Sequence, residues 1–384
     1  MSRALWVAGV SCTVGYVLAL GLAGRYVRSK VTDSNQQARA ESVRVRTVGD
    51  REWVEFDGTG FVAHPGRLSM RAISGGDLLI LSPPEESDGR IRRIIEKGDP
   101  TRLREDQKGQ LSGHLGENPA DFGLEFTSVT VGDQSVWEIP GDLATPSDVW
   151  VIHVHGLGSQ RSQVLRGVPT FASMGFTSLV PTYRTSLDGG AQAPPASHLG
   201  LSEWRDIEPV QRYALSSGAK RIIYVGWSLG ASIVLQVIRN APASEVAGAV
   251  LVSPALDWRS IILAALASAG APRPLAWWML SGFNLFRAKG EPVIRWRDLP
   301  ATSPATDTKV PTMVIHGSAD RSTPVDLSRI HAARQPEHIT MVESPEAHHT
   351  LEWNASPGKW NEAVKAWCIT ITGHSYAVMA CFVS

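Results

Sequence analysis

Hydrophobic and polar positions change rhythm twice along this 384-residue chain. Between Ala4 and Gly24 no charged side chain occurs. As a helix, that run would be about 31 Å long, close to the thickness of a bilayer's hydrocarbon core. Arg3 precedes it, and Arg25, Arg28 and Lys30 follow. The pattern predicts a single-pass membrane anchor within residues 1–30. A cleaved secretory signal, with small residues available at Ala19, Ala23 and Gly24, and a helix that does not enter a membrane are the competing readings. More Lys and Arg after the run than before it leans towards a cytoplasmic body and leaves the side of the membrane open.

Residues 31–123 read as a tether followed by a small β-rich module. The stretch 31–45 is rich in Gln, Ala, Arg and Ser, and suits a tether or stalk. Short apolar pieces then follow (Trp53–Phe56, Leu78–Leu81, Ile91–Ile95), broken by Gly, Pro and Asp as strands and turns require. No residue of this region looks catalytic.

Near Leu124 the rhythm changes again, and residues 124–367 read as one α/β domain. Phe126–Val131 and Val136–Ile139 flank the Gly132-Asp133 turn of a hairpin. Val149–Val154 is a nearly unbroken apolar run ending in a glycine-bearing loop. Similar runs recur at Thr177–Val180, Ile222–Val225, Ala249–Val252 and Thr312–Ile315, with a weaker one at His338–Val342. Helix-period segments lie between them, among them Leu201–Ser217 and Leu229–Arg239. Continuous buried strands alternating with amphipathic helices predict a mostly parallel sheet covered on both faces. The interval 259–308 interrupts the alternation with Trp277, Trp278, Phe283 and Phe286, and reads as a helical insertion: either a lid over an apolar acyl pocket or a segment whose aromatic side chains pack it onto the core. Ser356-Pro357 opens a last helix reaching about Trp367. The tail 368–384 contains no Asp, Glu, Lys or Arg and has no evident role.

Composition narrows the function classes. With 43% hydrophobic and 19% charged residues the chain can bury a large core, which excludes a wholly disordered protein. Lys+Arg and Asp+Glu are each 37, so no basic surplus exists to drive nucleic-acid binding. Cys12, Cys368 and Cys381 cannot form a disulfide framework and include no C-x-x-C pair. Free or buried thiols are the expectation, with a Cys368–Cys381 bridge as the alternative. Neither an H-E-x-x-H zinc motif, a phosphate loop nor a dinucleotide fingerprint occurs. His153 and His155 lack further ligands for a metal, so no metal or cofactor is expected.

One pentapeptide carries chemistry. Gly226-Trp227-Ser228-Leu229-Gly230 is a G-x-S-x-G sequence with a strand before it and a helix after it, the setting of a nucleophile elbow. A serine hydroxyl needs a base, and the base needs an acid to fix its tautomer. Asp320, in the loop after the strand ending Val314-Ile315-His316, is the first candidate acid; Asp257 is its rival. His348 and His349 both lie between the last strand and the last helix, and spacing alone cannot choose between them. His153, His155 and His316 sit on or beside strands and read as structural. The loop His155-Gly156-Leu157-Gly158 offers the backbone N–H of Leu157, which with that of Leu229 would form an oxyanion hole.

Together these stretches resemble the α/β-hydrolase superfamily, in its serine esterase and peptidase-like branch, which includes membrane-anchored bacterial members. The resemblance is carried by His155–Gly158, Gly226–Gly230, His316–Asp320 and His349–Asn354, in that order, over about Leu124–Trp367. It implies Ser228 as nucleophile, Asp320 as acid and His349 as base, the last because a histidine followed by Thr-x-x-Trp-Asn is similar to the family's pattern. It also implies that Glu203–Asp206 is structural. The expected activity is hydrolysis of an ester, thioester or amide on a small acyl or peptide substrate, with a carboxylesterase or lipase-like enzyme favoured. A serine peptidase and a non-catalytic membrane-anchored binding protein are the alternatives. Residues 31–123 and 368–384 fall outside what the resemblance explains.

Overall fold

The computed structural model describes residues 3–33, 40–48, 51–57, 60–72, 76–87, 89–99, 108–142, 147–189, 196–287, 291–299 and 309–373. The first element is the 30-residue helix α1 (Arg3–Thr32), whose side chains are described from Gly15 onward. It runs well beyond the uncharged stretch. Among the described residues no helix is long and apolar enough to cross a membrane, so the expected anchor gains no support. The second half of α1 packs on the insertion: a Cβ at Gly24 would lie 2.0 Å from the Gly282 carbonyl carbon, and one at Gly21 would meet the Phe286 ring. Arg28, read from sequence as a cation flanking a span, is buried, ion-paired to Glu291 at 2.9 Å and bonded to Asn284 and the Pro292 carbonyl.

Seven strands follow: β1 (Ala40–Val48), β2 (Arg51–Asp57), β3 (Leu68–Ala72), β4 (Leu79–Leu81), β5 (Glu85–Ser87), β6 (Arg90–Lys97) and β7 (Lys108–Ser112). Part of the expected tether is therefore strand β1. Their order is β2-β1-β7-β3-β4-β6-β5, every pairing is antiparallel, and a further β2–β6 pairing closes six of them into a ring. Val54, Phe56, Met70, Leu79, Leu81 and Leu111 fill its interior. Arg93 of β6 is buried there and donates to the carbonyls of Val62, His64, Gly66 and Ser82, which fixes the path of the 62–66 segment.

The α/β region carries eight more strands: β8 (Thr127–Val131), β9 (Gln134–Ile139), β10 (Val149–Val154), β11 (Ser178–Pro181), β12 (Arg221–Trp227), β13 (Val246–Val252), β14 (Thr312–Gly317) and β15 (Ile339–Ser344). They form one sheet in the order β15-β14-β13-β12-β10-β11-β9-β8. The six strands from β15 to β11 are parallel, and the β8–β9 hairpin adds an antiparallel edge. Strand side chains alternate between two cores, as the two-residue period demands. Ile152, Val154, Tyr224 and Leu251 meet α3 (Trp204–Ser216) and α4 (Leu229–Asn240) on one face. Val149, Val151, Ile223 and Val250 meet α2 (Val168–Ala172) and α9 (Pro357–Thr372) on the other. The remaining helices are α5 (Trp258–Ser268), α6 (Arg273–Ser281), α7 (Val325–Arg334) and α8 (Glu352–Ala355).

Helix α9 runs five residues past the expected end, so the tail begins later than position 368. It stops at Gly373, which takes the left-handed conformation (φ 70°) that terminates helices. Cys368 is a buried thiol on α9, and burial pushes its pKa up to about 12. Cys381, the rest of the tail and the Cys12 side chain lie outside the described residues.

Candidate active site

Strand order determines where a site can form. The chain passes from β10 out to β11 and returns to β12 on the opposite side of β10. The loops after β10 and β12 therefore diverge and leave a crevice at the carboxyl ends of the strands. The glycine loop after β10 and Ser228 after β12 sit at that crevice.

Ser228 has φ 53° and ψ −114°, a conformation a non-glycine residue adopts only under constraint. The constraint is steric. A Cβ at Gly226 would lie 2.6 Å from the Ala231 Cα, and one at Gly230 would lie 2.1 Å from the Val154 carbonyl oxygen. Helix α4 must start against β10, and only glycine allows the turn to be that tight. Its first N–H groups, beginning with Leu229, have no acceptor within the helix and carry its positive dipole end.

The structure brings Ser228, His349 and Asp320 into one hydrogen-bonded chain. Ser228 Oγ is 2.9 Å from His349 Nε2, and His349 Nδ1 is 2.7 Å from Asp320 Oδ2. Asp320 is buried, and its Oδ1 accepts from the N–H groups of Ser322 and Thr323 at 2.7 and 2.9 Å. Oδ2 also accepts from the Thr323 hydroxyl at 2.8 Å and faces His316 Nε2 at 3.2 Å. Burial alone would raise the Asp320 pKa. The charge of His349 and the hydrogen bonds from His316, His349 and Thr323 outweigh it and hold the carboxyl well below the usual carboxylate range. An ionised Asp320 only accepts, so His349 Nδ1 carries its proton and Nε2 presents a lone pair to Ser228.

The rival candidates have other partners. Asp257 caps α5, accepting from the Ser260 N–H and hydroxyl at 3.1 and 2.9 Å. His348 turns towards the amino-terminal sheet, with its Nδ1 3.4 Å from that of His64 and its ring edge-on to Phe61. His153 contacts the Ser178 hydroxyl and the Phe171 ring. His316 donates from Nε2 to the Thr323 carbonyl at 2.9 Å and accepts from Ser328 at 2.7 Å, so it supports the acid loop. Glu203 is buried and accepts from Ser197, His198, Gly200 and Ser202, organising the turn before α3.

The glycine loop is held by residues the sequence did not single out. Gln163 Oε1 accepts from the Gly156 N–H at 2.6 Å, and the Tyr183 hydroxyl donates to the carbonyls of His155 and Gly156. The His155 ring stacks on Tyr183 at 4.4 Å, donates from Nδ1 to the Gly156 carbonyl and accepts from Ser186. In a planar trans peptide the C=O and the next N–H point opposite ways. Fixing the Gly156 carbonyl towards Tyr183 therefore turns the Leu157 N–H to the other side. Burial lowers the His155 pKa to about 4, so this support is a neutral ring.

Two further buried residues tie the histidine loop down. Glu352 Oε1 accepts from Ser253 Oγ and from the Gly317 N–H, joining the loop after β13 and the end of β14 to α8. Arg166 lies 4.6 Å from the centroid of the Trp227 ring and donates to Asn354 Oδ1 and to the carbonyls of Gly113 and Thr350. Glu352 and Asn354 belong to the His349–Asn354 stretch noted from sequence; nothing in the spacing pointed to Arg166. Among the described residues no cluster of His, Cys, Asp or Glu could hold a metal ion.

A cleft of about 370 Å³ opens on His349 and on Leu157, Gly158 and Ser159 of the glycine loop. None of the described residues of the 259–308 insertion lines it, so the candidate lid gains no support among the described residues. The aromatic side chains of the insertion pack elsewhere: Phe283 against Trp296 and Arg28, Trp278 against Tyr16, and Trp277 beneath Arg259.

No protein-family model matches the chain, and no curated protein matches it. Solved structures do show likeness. An esterase of Pyrococcus furiosus aligns with 66% of this chain and 93% of its own at 20% identity and a TM-score of 0.49. A serine hydrolase from Cycloclasticus zankles covers 66% and 100% at 12% identity and a TM-score of 0.46. A lidless α/β serine hydrolase of Xanthomonas campestris covers 63% and 93% at 16% identity and a TM-score of 0.44. By its own strand order, its strand–turn–helix elbow and the sequence order of Ser228, Asp320 and His349, the α/β region has an α/β-hydrolase-like fold.

Proposed function

We propose that the protein is a serine hydrolase that cleaves a carboxylic ester through an acyl-enzyme on Ser228. The observation that carries this reading is the Ser228–His349–Asp320 chain of hydrogen bonds, 2.9 and 2.7 Å long, at a strained elbow. His349 Nε2 takes the Ser228 proton as Oγ attacks the carbonyl, and Asp320 holds the ring in that tautomer and steadies the imidazolium. The N–H groups of Leu157 and Leu229 receive the oxyanion. His349 then protonates the departing alcohol, and water activated by the same nitrogen releases the acid.

An ester is favoured over an aminoacyl amide by the lining of the cleft. Among the described residues that line it there is no Asp or Glu side chain to pair with the free amine of an aminopeptidase substrate. Fluorophosphonate labelling followed by intact mass tests the mechanism. The wild type should gain one adduct that Ser228→Ala loses. An adduct that persists in that variant, or no adduct on a folded wild type, would refute it.

A further inference from the structure

We infer that the amino-terminal strand ring supplies one wall of the substrate cleft, with Phe61 setting which ester chain the site accepts. The inference rests on the hydrolase reading above and goes beyond it by giving residues 60–114 a role in specificity. The cleft that opens on His349 is closed on its far side by Gly60, Phe61, Leu111 and His114, all from the region preceding the α/β sheet. The Phe61 ring meets His348, the neighbour of the proposed base, at 5.9 Å.

This wall is fixed rather than laid loosely against the site. A Cβ at Gly66 would lie 1.7 Å from the Asn354 carbonyl oxygen, and one at Gly113 would lie 2.2 Å from a Leu351 methyl, so backbone meets the histidine loop directly. Arg166 and Asn354 both bond the Gly113 carbonyl, and Asn354 also bonds that of Arg67. On the other side Arg93 holds the 62–66 segment through its carbonyls. His114 lies 3.4 Å from the hydroxyls of Ser159 and Ser162, beside the glycine loop. Phe61 is therefore held at a set distance from the reacting atoms, as a specificity element must be.

The chemistry of the lining defines the occupant. Phe61 and Leu157 present apolar surface over the buried Leu111 and Leu351, Arg321 stands in the lining, and among the described residues no carboxylate does. At about 370 Å³ the cleft lies near the lower end of the roughly 300–1,000 Å³ range of small-molecule sites. It suits an apolar chain of medium length, neutral or negatively charged, on either side of the ester carbonyl.

The test uses the full chain and two ester series: p-nitrophenyl acetate, butyrate and octanoate for the acyl side, and ethyl, butyl and octyl acetate for the alcohol side. The readout is the ratio of kcat/KM for the longest and shortest member. Any unfolded fraction cancels in that ratio, so a merely structural role would not move it. Phe61→Ala should lower the ratio about tenfold in one series, and that series names the side that the wall holds. Phe61→Leu keeps apolar surface and should give a smaller shift in the same direction; it decides the matter if the alanine variant does not fold. A ratio that stays within about twofold of wild type in both series, or that rises, overturns the inference while leaving the hydrolase reading intact. A wild type that hydrolyses neither series and takes no fluorophosphonate overturns both.

Discussion

Replacing Asp320 by Asn changes one atom and should nearly abolish activity. Asp320 Oδ1 accepts from two backbone N–H groups, those of Ser322 and Thr323 at 2.7 and 2.9 Å. Only the amide oxygen can stay there, so the amide nitrogen takes the Oδ2 position, 2.7 Å from His349 Nδ1. Facing a donor, Nδ1 must accept, and the ring proton moves to Nε2, where it confronts the Ser228 hydroxyl. Ser228 then has no acceptor for its proton. The fold should survive, because the other two donors at Oδ2 keep a second acceptor each: the Thr323 hydroxyl has the Ser253 carbonyl at 3.3 Å, and His316 has the Thr323 carbonyl at 2.9 Å. The same change in a serine protease triad costs about 10⁴ in kcat, or about 5.5 kcal/mol. Steady-state hydrolysis of p-nitrophenyl acetate, with circular dichroism as the folding control, measures it. A folded Asp320→Asn variant within about tenfold of wild type would refute the role of Asp320 as orienting acid. Stability gives a second readout. The carboxyl pKa is depressed in the fold below its ordinary 3.8, so its contribution is full above that pH and is lost as pH falls below it. The stability advantage of wild type over the variant should shrink on that acid limb, and an advantage constant from neutral pH to well below 3.8 would contradict the depressed pKa.

Two further substitutions test the framework of the site. Gly230→Ala places a methyl 2.1 Å from the Val154 carbonyl oxygen and 2.7 Å from that of His155, both backbone atoms that cannot rotate away. A loss of about 3 kcal/mol or more and a Tm lower by roughly 6–10 °C are expected in a thermal melt; an unchanged Tm would mean that α4 can retreat from β10. Gln163→Ala leaves the Gly156 N–H without its 2.6 Å acceptor and loosens the loop bearing the Leu157 N–H. It should lower kcat about ten- to a hundredfold with little change in KM. A raised KM at unchanged kcat would assign Gln163 to substrate binding instead.

The α/β-hydrolase-like layout was legible because each of its signals is local. Unbroken apolar runs mark strands buried on both faces, and the strands built from Val149–Val154 and Ile222–Val225 fall where those runs lie. The glycines of the elbow are legible because a Cβ at either would collide within its own turn or with the adjoining strand. The insertion was less legible, for a physical reason. Aromatic residues announce that something apolar will be buried, but not against what, and Phe283 found Trp296 and α1 rather than a substrate pocket. The run from Ala4 to Gly24 shows the same limit, since an uncharged helix can pack against protein as well as lipid, and the second half of α1, as far as Thr32, lies against the insertion.

By itself the sequence determined which residue types were available for catalysis and in what order: a serine between glycines, then an aspartate after a strand, then a histidine before the last helix. Spacing left open which histidine faces the serine, and only the family resemblance favoured His349, because adjacent side chains diverge and packing selects one. The tertiary structure decided that choice by turning His348 towards Phe61 and His64 and leaving His349 between Ser228 and Asp320. It also decided the role of residues far from the elbow in sequence. Arg166 joins Gly113, Thr350 and Asn354 across 53, 184 and 188 positions. Contacts of that range leave no periodic trace in a chain, since they depend on how whole layers pack and not on the residues beside each partner.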